Sequence, residues 1–328
     1  HVIGATMRLW TYSDSCNMKH EGCCAESAVE DARRVCDKLG IDFYVMNFKD
    51  MFKDKVVDYF VDEYIHGRTP NPCIACNKYL KFDALLKKAL AMGIDYVATG
   101  HYAKIEKGED GKYILRASEA VKKDQSYVLY NFTQEQLAHT LMPLGGYNKD
   151  WVRQKAEELG LGVAHKPDSQ EICFVEDGDY AKFITDYSGY KPKEGDILDV
   201  NGNVIGKHRG LIYYTIGQRK GIGAYGRPMF VMKIDAENNT ITLGEKGMEF
   251  SNELTAYDVN FVSGEFPKEN MLITAKVRYQ APPAAAMLCP QKDGTVKLMF
   301  PEPQRAVTPG QAVVFYDGDI VLGGGTVL

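Results

Sequence analysis

Three cysteines in two short segments are the residues of this chain whose type and spacing are best suited to chemistry. Cys73 and Cys76 form a C-x-x-C pair, and Cys173 follows a polar stretch later in the chain. Cysteine thiolates are strong nucleophiles, so this set indicates sulfur or redox chemistry. Between the two segments, Ala98 to Tyr102 (ATGHY) predicts a strand that runs into a tight turn. Because open α/β sheets bind ligands at the carboxyl ends of their strands, we predict a small-ligand pocket beside these thiols.

The C-x-x-C pair has two further interpretations, half of a zinc site or a redox pair. A structural zinc site needs four ligands, and Cys16, Cys23 and Cys24 are the candidates for the remaining two. The sequence contains no second C-x-x-C. We therefore predict that no metal is bound.

The residues around Cys76 favour it as the reactive thiol of the pair. Pro70 and Pro72 predict an extended, exposed segment before a helix that begins near Lys78, with Asn77 as its N-cap. A thiol at that place feels the helix dipole and the ammonium group of Lys78, and both stabilise a thiolate.

The other cysteines differ in their surroundings. Cys173 lies between two apolar residues, where cysteine is often a small core residue. The polar turn Asp168-Ser169-Gln170 precedes it and could move toward a substrate, so a catalytic role stands beside the core role. Cys36 and Cys289 lie in apolar patterns and are predicted core residues.

Composition excludes several classes of protein. The 328 residues include 39 Lys plus Arg and 44 Asp plus Glu, a formal charge of −5, which argues against a generic nucleic-acid binder but allows a local basic groove. Two basic clusters, Lys207-His208-Arg209 and Gln218-Arg219-Lys220, are candidates for such a groove or are solvated loops. Eight cysteines in a chain of this length fit no secreted disulfide framework, so we predict a cytoplasmic protein with reduced thiols. The sequence has no run of about 18 apolar residues, so no membrane span is predicted.

The order of predicted elements indicates an α/β domain followed by two β domains. Strands and helices alternate in the first half, which is typical of a doubly wound parallel sheet. After about Lys191 glycine becomes frequent and short β-type runs lie between turns, of which Asn201-Gly202 and Asn238-Asn239 are hairpin signals. The predicted strands of this part are 196–198, 203–205, 211–216, 230–234, 240–243, 272–279, 296–300, 312–316 and 320–322. We predict three domains, residues 1–188, 189–248 and 249–328, the last a β-barrel. The predicted strands of the first domain are 1–7, 41–46, 95–99 and 113–116, and its predicted helices are 26–39, 50–65, 78–92, 134–139, 149–159 and 179–187.

Three polar segments are further candidates for ligand contacts. His101 ends a predicted strand and suits either a substrate contact or a structural hydrogen bond. Lys122 to Ser126 (KKDQS) forms a polar turn that could equally be an ordinary solvated loop. Arg278-Tyr279 lies at a β-strand end and suits a phosphate or base contact or a sheet edge.

Taken together, these segments resemble the tRNA-specific 2-thiouridylase family (MnmA, also called TrmU). Six segments follow the family's order and span nearly the whole chain, which makes the resemblance specific although each segment alone is weak. They are RTPNP with CNK (68–72 and 76–78), ATGHY (98–102), KDQSY (123–127), ICF (172–174), TIGQRKG (215–221) and VTPGQ (307–311).

The resemblance implies an ATP-pyrophosphatase fold of the adenine nucleotide alpha-hydrolase type and a sulfurtransferase activity. ATP, with Mg²⁺, activates C2 of the wobble uridine (position 34) and releases pyrophosphate. A cysteine persulfide then delivers sulfur, giving 2-thiouridine and AMP. The implied partners are tRNAs of the Glu, Gln and Lys type, and a sulfur-carrier protein or cysteine desulfurase as persulfide donor.

The resemblance also assigns roles to single residues. Cys76 is the nucleophile and Cys173 carries the persulfide, and the two close a disulfide during turnover. Met7 and Gly100 match adenine-nucleotide contacts, and Asn71, Pro72 and Cys73 match the segment that faces the target base. The residues that match tRNA contacts are His101, Lys123, Asp124, Gln125, Arg278, Tyr279 and Gln311.

The chain departs from the family at two places. The family's Ser-Gly-Gly-x-Asp-Ser-Ser ATP loop does not occur in the printed sequence, so we expect one strand–helix unit before His1 and poor ATP binding by the sequence as printed. Some members have Asp where this chain has Cys73, and that Asp is credited with proton transfer; Cys73 is therefore a modulatory or acid–base position. The rival interpretations are a 2-thiocytidine or 4-thiouridine synthetase, whose added cysteines or domains are not seen, and a non-catalytic tRNA-binding protein.

Overall fold

The computed structural model describes residues 1–10, 26–120, 123–166, 172–175 and 177–328. Within these residues no helix has both the length and the apolarity that a membrane crossing requires. The helices are α1 (Glu26–Leu39), α2 (Lys49–Phe52), α3 (Asp58–Ile65), α4 (Pro72–Ala75), α5 (Leu85–Ala91), α6 (Gln134–Ala138), α7 (Lys149–Glu158) and α8 (Tyr180–Ser188). The strands are β1 (Gly4–Arg8), β2 (Phe43–Asn47), β3 (Val97–Ala98), β4 (Ala103–Lys107), β5 (Tyr113–Ala117), β6 (Thr140–Leu141), β7 (Gly195–Leu198), β8 (Val204–His208), β9 (Met229–Asp235), β10 (Thr240–Glu245), β11 (Phe250–Phe261), β12 (Met271–Lys276), β13 (Ala284–Pro290), β14 (Val296–Arg305), β15 (Ala312–Asp317) and β16 (Ile320–Val327).

The first domain contains two parallel strand pairs, β1 with β2 and β3 with β6. Parallel pairing confirms the α/β class that the alternation of elements predicts. Helix α1 has the predicted bounds and buries Val29 and Cys36, although Leu39 at its end is 48% exposed. Cys36 is therefore the core residue that the sequence predicts.

The helix that carries Cys73 and Cys76 begins earlier than predicted. It runs from Pro72 through α4, a π-helical segment (Cys76–Ala84) and α5. Asn71, not Asn77, is its N-cap: the Asn71 side-chain oxygen accepts the backbone N–H groups of Cys73 at 3.1 Å and Ile74 at 3.4 Å. Proline is favoured at the first helical position because its missing N–H has no intrahelical partner there. Pro72 therefore starts the helix. The predicted extended segment ends at Asn71 and does not continue to Asn77.

A cluster of aromatic rings forms the core beneath this helix. Phe174 is fully buried, and its ring centroid lies 5.7 Å from that of Phe52 and 5.2 Å from those of Phe60 and Phe183. Fully burying a phenylalanine side chain stabilises a fold by about 2–3 kcal/mol. Phe174 therefore anchors the short segment 172–175 against the helices of the first domain.

The second domain is a four-stranded sheet in the order β8-β7-β10-β9. Its two hairpin turns occur where the sequence predicts them, with positive φ at Gly202 (87°) and Asn239 (52°). The predicted strand at 211–216 is wrong, because Leu211–Tyr213 forms a 3-10 turn. Leu211 and Ile212 are nevertheless buried, which explains why the segment resembles a strand.

The third domain is a closed six-stranded barrel in the order β11-β14-β13-β12-β15-β16, completed by pairing of β11 with β16. The hairpin β4–β5 extends this sheet, since Ile320 of β16 pairs with Arg116. Arg116 also donates to Asp319 at 2.7 Å. The hairpin of the first domain thus attaches to the barrel, a contact that the sequence does not predict. Cys289, expected in the core, is only half-buried on β13.

A close backbone contact joins the barrel to the loop before α4. The Thr69 N–H donates to the Pro309 carbonyl at 2.9 Å, and the Gln311 side chain donates to the Thr69 carbonyl at 2.8 Å. Gly310 between them has φ +85°, and a Cβ there would lie 2.9 Å from the Thr69 nitrogen and 3.1 Å from Glu63 Oε2. Only glycine fits both the conformation and the space.

We predict that Gly310→Ala lowers the free energy of unfolding by about 2–5 kcal/mol, the sum of a left-handed backbone penalty and a collision with backbone. Gly294→Ala is the matched control, because Gly294 also has positive φ (83°) but a methyl group added there would meet nothing within 4 Å. It should cost only about 1 kcal/mol. Urea unfolding of both variants measures the difference, and equal losses would contradict a tight contact at Gly310.

Candidate active site

Cys73 and Cys76 occupy different environments on one helix. Cys73 is exposed in the first turn, whereas Cys76 is 8% exposed and belongs to the hydrophobic cluster that contains Leu80 and Phe174. Helix geometry separates the α-carbons of residues i and i+3 by about 5 Å. The exposed and the buried thiol are therefore neighbours on the helix.

Cys173 packs against the same hydrophobic cluster as Cys76. It is half-buried and follows Ile172, which also packs on the cluster, while Phe174 fills the core. The fold thus brings both of these predicted catalytic cysteines to one core, although they lie far apart in sequence.

Several residues invoked for the alternatives lie outside the described residues. They are Cys16, Cys23 and Cys24 of the zinc interpretation, Lys122 of the polar turn, and the turn 168–171 before Cys173. In the described ranges, no group of three His, Cys, Asp or Glu side chains is placed to hold a metal ion.

Lys78, expected to stabilise the Cys76 thiolate, and Asn77, expected to cap the helix, each have another partner. The Lys78 ammonium pairs with Asp258 of the barrel at 2.5 Å. Asn77 is 4% exposed, and its side-chain amide donates to the Val128 carbonyl at 2.9 Å. Both residues fasten the helix to its neighbours, so the predicted N-cap role of Asn77 is wrong and the charge of Lys78 is directed away to the barrel.

The predicted adenine-nucleotide residues lie at strand ends. Met7 is the second-last residue of β1, opposite Met46, and packs against the same cluster as Cys76. Gly100 follows β3, just after the Thr99 N–H that donates to the Leu141 carbonyl at 3.0 Å. Both therefore lie toward the carboxyl ends of parallel strands, where α/β folds bind ligands.

His101 is held as a neutral side chain. Its Nδ1 lies 2.8 Å from the Thr99 hydroxyl, and its ring centroid lies 5.5 Å from that of Phe82. Burial, with a smaller effect of Lys81, lowers the pKa of His101 to about 3. A tRNA contact from this residue would therefore come from a neutral imidazole.

Asp124 and Gln125 organise the turn that contains them. The Asp124 carboxylate accepts the N–H groups of Ser118 at 3.0 Å and Ser126 at 3.1 Å, as well as the Ser126 hydroxyl. Gln125 and Tyr102 exchange two hydrogen bonds, each 2.9 Å, through the Gln125 side chain and backbone. The KDQSY and ATGHY segments therefore form one unit.

Tyr279 joins this unit to the barrel and remains accessible. Its hydroxyl donates to the Asp124 carbonyl at 3.0 Å, and the side chain is 40% exposed. Burial of the hydroxyl raises the pKa of Tyr279; Asp124 and, less strongly, Cys73 act in the same direction, opposed by Lys123. Cys73 and Lys123 thus lie within electrostatic range of Tyr279.

Arg278 links the second and third domains. Its Nη2 donates to the carbonyls of Ile216 (3.1 Å) and Ala306 and to the Thr308 hydroxyl at 2.6 Å. Burial, with a smaller effect of Arg305, keeps the pKa of Arg278 below its ordinary value, and no carboxylate of the described residues pairs with it. Its Nε–H is buried and has no hydrogen-bond partner among the residues that the structure describes. The guanidinium charge is therefore held by neutral groups only.

The predicted site residues form a chain of contacts across the three domains. Gln311 reaches the loop before Asn71, Gln125 reaches the segment of His101, and Arg278 reaches the second domain. The two basic clusters are partly committed to contacts of their own, although Arg209, Arg219 and Lys220 are exposed. Lys207 pairs with Asp196 at 2.5 Å, His208 is buried, and the Gln218 side chain bonds to backbone groups of its own loop.

Sequence reasoning missed a buried ion pair next to this chain of contacts. Glu63 is 5% exposed, and its Oε1 accepts the Arg68 Nε–H at 2.9 Å, while Oε2 has no partner among the described residues. Glu63 lies in an amphipathic helix with several other acidic residues, so nothing in the sequence sets it apart. Its partner Arg68 begins the RTPNP segment, which is the one available signal.

Comparison with known proteins supplies the family. Residues 1–177 match the model of the tRNA methyl transferase HUP domain, 181–245 the tRNA methyl transferase PRC-barrel domain, and 251–327 the aminomethyltransferase beta-barrel domain. These matches confirm the predicted fold class, an α/β domain followed by two β domains.

Three curated relatives that match almost the whole chain carry one name, tRNA-specific 2-thiouridylase MnmA. The protein of Acetivibrio thermocellus is 58% identical over 329 residues, which cover 99% of this chain and 92% of the relative. The protein of Clostridioides difficile is 56% identical over 328 residues, covering 99% and 91%. The protein of Clostridium beijerinckii is 55% identical over 327 residues, with the same coverage. By these domain matches and identities, the chain belongs to the tRNA-specific 2-thiouridylase family.

Proposed function

We propose that this protein is a tRNA-uridine 2-sulfurtransferase, which converts the wobble uridine of tRNA to 2-thiouridine with consumption of ATP. The observation that carries the proposal is the placement of Cys76 and Cys173 on one hydrophobic cluster. Family membership supplies the activity, and two thiols at one core supply the means to transfer sulfur without losing it to water.

ATP is needed because C2 of uridine is an amide-like carbonyl carbon whose oxygen is a poor leaving group. Transfer of AMP to that oxygen releases pyrophosphate and makes the oxygen a good leaving group. Met7 and Gly100, at strand ends of the first domain, would contact the adenine nucleotide. Mg²⁺ would accompany ATP, since it binds mainly through substrate phosphates and neutralises their charge.

Sulfur transfer then uses the two cysteines in turn. The terminal sulfur of a Cys173 persulfide attacks C2 and expels AMP. The Cys76 thiolate attacks Cys173 Sγ, and the bond from that Sγ to the transferred sulfur breaks, with its electron pair leaving on the tRNA sulfur. The products are 2-thiouridine, AMP and a Cys76–Cys173 disulfide. The apolar surroundings of Cys76 keep water away from the reacting sulfurs.

The target base must leave its stack to reach these thiols, as bases do in other enzymes that modify them. The Asn71 side chain already caps the helix, so the face of the segment that Asn71, Pro72 and Cys73 offer to a base is formed mainly by the Cys73 thiol and the backbone. The exposed Tyr279 ring lies within electrostatic range of Cys73 and is suited to stack on an unstacked base.

The tRNA backbone would meet Arg278 and Lys123 near this point. Because Arg278 is held by neutral acceptors only, its charge is available to a phosphate. Wobble-uridine tRNAs of the Glu, Gln and Lys type are the proposed substrates. A sulfur-carrier protein or cysteine desulfurase is the proposed persulfide donor, in the cytoplasm.

We predict that Cys76→Ser and Cys173→Ser each abolish 2-thiouridine formation, at least 100-fold, whereas Cys73→Ser only slows it. The assay uses the full-length protein with ATP, tRNA and a persulfide donor, and tRNA-dependent AMP release is followed in parallel. Loss in Cys73→Ser with normal activity in Cys76→Ser would show that the other thiol of the pair is the nucleophile. Activity without AMP release would contradict the ATP-dependent route.

We predict that Arg278→Ala weakens tRNA binding and reduces the slope of log affinity against log salt by about one, because one phosphate contact is lost. Arg278→Lys, which keeps the charge, should retain most of the slope. Binding is measured between roughly 50 and 200 mM salt, the range over which such contacts weaken. Thermal unfolding of each variant is measured in parallel. A lower melting temperature with an unchanged slope would assign Arg278 to the domain junction alone.

We predict that His101 destabilises the fold in weak acid. Its folded pKa of about 3 lies below the ordinary 6.5, so between these values the unfolded state binds the extra proton. The free energy of unfolding is therefore unaffected by protonation of His101 above pH 6.5, and below that pH it falls by about 1.4 kcal/mol per pH unit. At pH 5.5 the wild type should have lost about 1.4 kcal/mol more, relative to pH 8, than His101→Gln. Urea unfolding at both pH values measures these losses. If the wild type and His101→Gln lose the same free energy of unfolding between pH 8 and pH 5.5, the assignment of a neutral His101 is wrong.

A further inference from the structure

We propose that Cys73 is a resolving thiol, which takes over the disulfide formed at Cys76 and carries it to the protein surface for reduction. The inference rests on the proposed function, because that function generates the Cys76–Cys173 disulfide. It assigns a redox role to the first cysteine of the C-x-x-C pair, beyond contact with the target base.

The spacing of the pair permits a disulfide within the helix. Cys73 lies in α4 and Cys76 continues the same helix with φ −60° and ψ −44°. Residues three apart in such a helix have α-carbons about 5 Å from each other. Disulfides bridge α-carbons that are about 4.4–6.8 Å apart, so the pair can close without moving the backbone far.

The three thiols differ in their access to solvent in the order that a relay requires. Cys73 is exposed, Cys173 is half-buried and Cys76 is 8% exposed. Thiol–disulfide exchange needs the attacking thiolate to reach a disulfide sulfur, so access controls its rate. A disulfide whose sulfurs both lie against the hydrophobic core is hard for a large protein reductant to reach. Cys73 is next to the buried sulfur and open to the outside.

The relay consists of two exchanges. First, the Cys73 thiolate attacks Cys76 Sγ; the Cys73–Cys76 bond forms, the Cys76–Cys173 bond breaks, and its electron pair leaves on Cys173 Sγ, which takes a proton from solvent. This step moves the disulfide without net oxidation. Second, an external dithiol attacks the exposed Cys73 Sγ and expels the Cys76 thiolate. The second thiol of the reductant then attacks its own sulfur in this mixed disulfide, and Cys73 leaves as a thiolate. The dithiol is thereby oxidised to its disulfide and both protein thiols are reduced. Cys173 is then ready for a new persulfide.

The distribution of disulfides after one turnover tests the relay. The full-length protein is loaded with one equivalent of persulfide, freed of donor, and mixed with ATP and tRNA without reductant. After quenching with an alkylating reagent, peptide mapping locates the disulfide, and its amount is divided by the 2-thiouridine formed. We expect mainly Cys73–Cys76 in the wild type and mainly Cys76–Cys173 in Cys73→Ser.

Multiple turnover gives a second readout. With a thioredoxin-class dithiol protein as the only reductant, Cys73→Ser should lose at least 10-fold in steady-state rate relative to its own first turnover, and a small dithiol should restore most of that loss. Cys289→Ser is the matched control: Cys289 is a half-buried cysteine on β13 of the barrel, remote from the helix in sequence and topology. It should give the wild-type disulfide map and rate.

The outcomes separate the relay from the function on which it rests. A Cys76–Cys173 disulfide that accumulates in the wild type, together with an unimpaired thioredoxin-driven rate in Cys73→Ser, would overturn the relay and leave the proposed function intact. Formation of 2-thiouridine with no disulfide in any variant would overturn the proposed thiol chemistry and the relay with it. If Cys73→Ser makes no product, the wild-type map decides alone.

Discussion

The backbone contact between Thr69 and Pro309 is the constraint on which the arrangement of the thiols depends. Two residues after Thr69, Asn71 caps the helix that carries Cys73 and Cys76, so a shift of this loop would move both cysteines. The loop is fixed by a barrel turn whose approach leaves no room for a side chain at Gly310. The position of the helix in the first domain is therefore set by the third domain. The first and third domains are thus joined at the loop that begins the helix of Cys73 and Cys76.

Two charged residues, the buried Glu63 and the half-buried Arg278, hold the contacts between domains in different ways. Glu63 accepts a hydrogen bond from Arg68 at the start of the loop, which compensates its charge. Arg278 is held by carbonyls and a hydroxyl, so its charge is not compensated by the protein. In a chain with a net charge of −5, attraction of a polyanion has to come from such local sites. The compensated charge of Glu63 fits a structural role, and the uncompensated charge of Arg278 fits a role in binding a ligand.

Local patterns predict much of the fold, and the errors have physical causes. Periodicity predicts α1 and the run from Lys49 to Ile65, because burial on one helix face is written in nearby residues. The helix begins at Pro72, earlier than the predicted start near Lys78. The prediction is wrong because proline is compatible with both an extended segment and a first helical position. Strand β13 (AAAMLCP) is missing from the predicted strands since alanine carries little β preference, and its pairing comes from neighbouring strands.

The site shows where sequence reasoning ends. Patterns identify Gln125, Arg278 and Gln311, but their partners lie 23 to 242 residues away, and no local rule gives such pairings. Each of these residues is a tRNA-contact candidate and also holds one structural segment to another. A tRNA bound across them would touch the same groups that set the position of the thiol helix. Substrate binding and alignment of the sulfur chemistry would then be coupled through one network of hydrogen bonds, because strengthening or displacing any of its bonds acts on both.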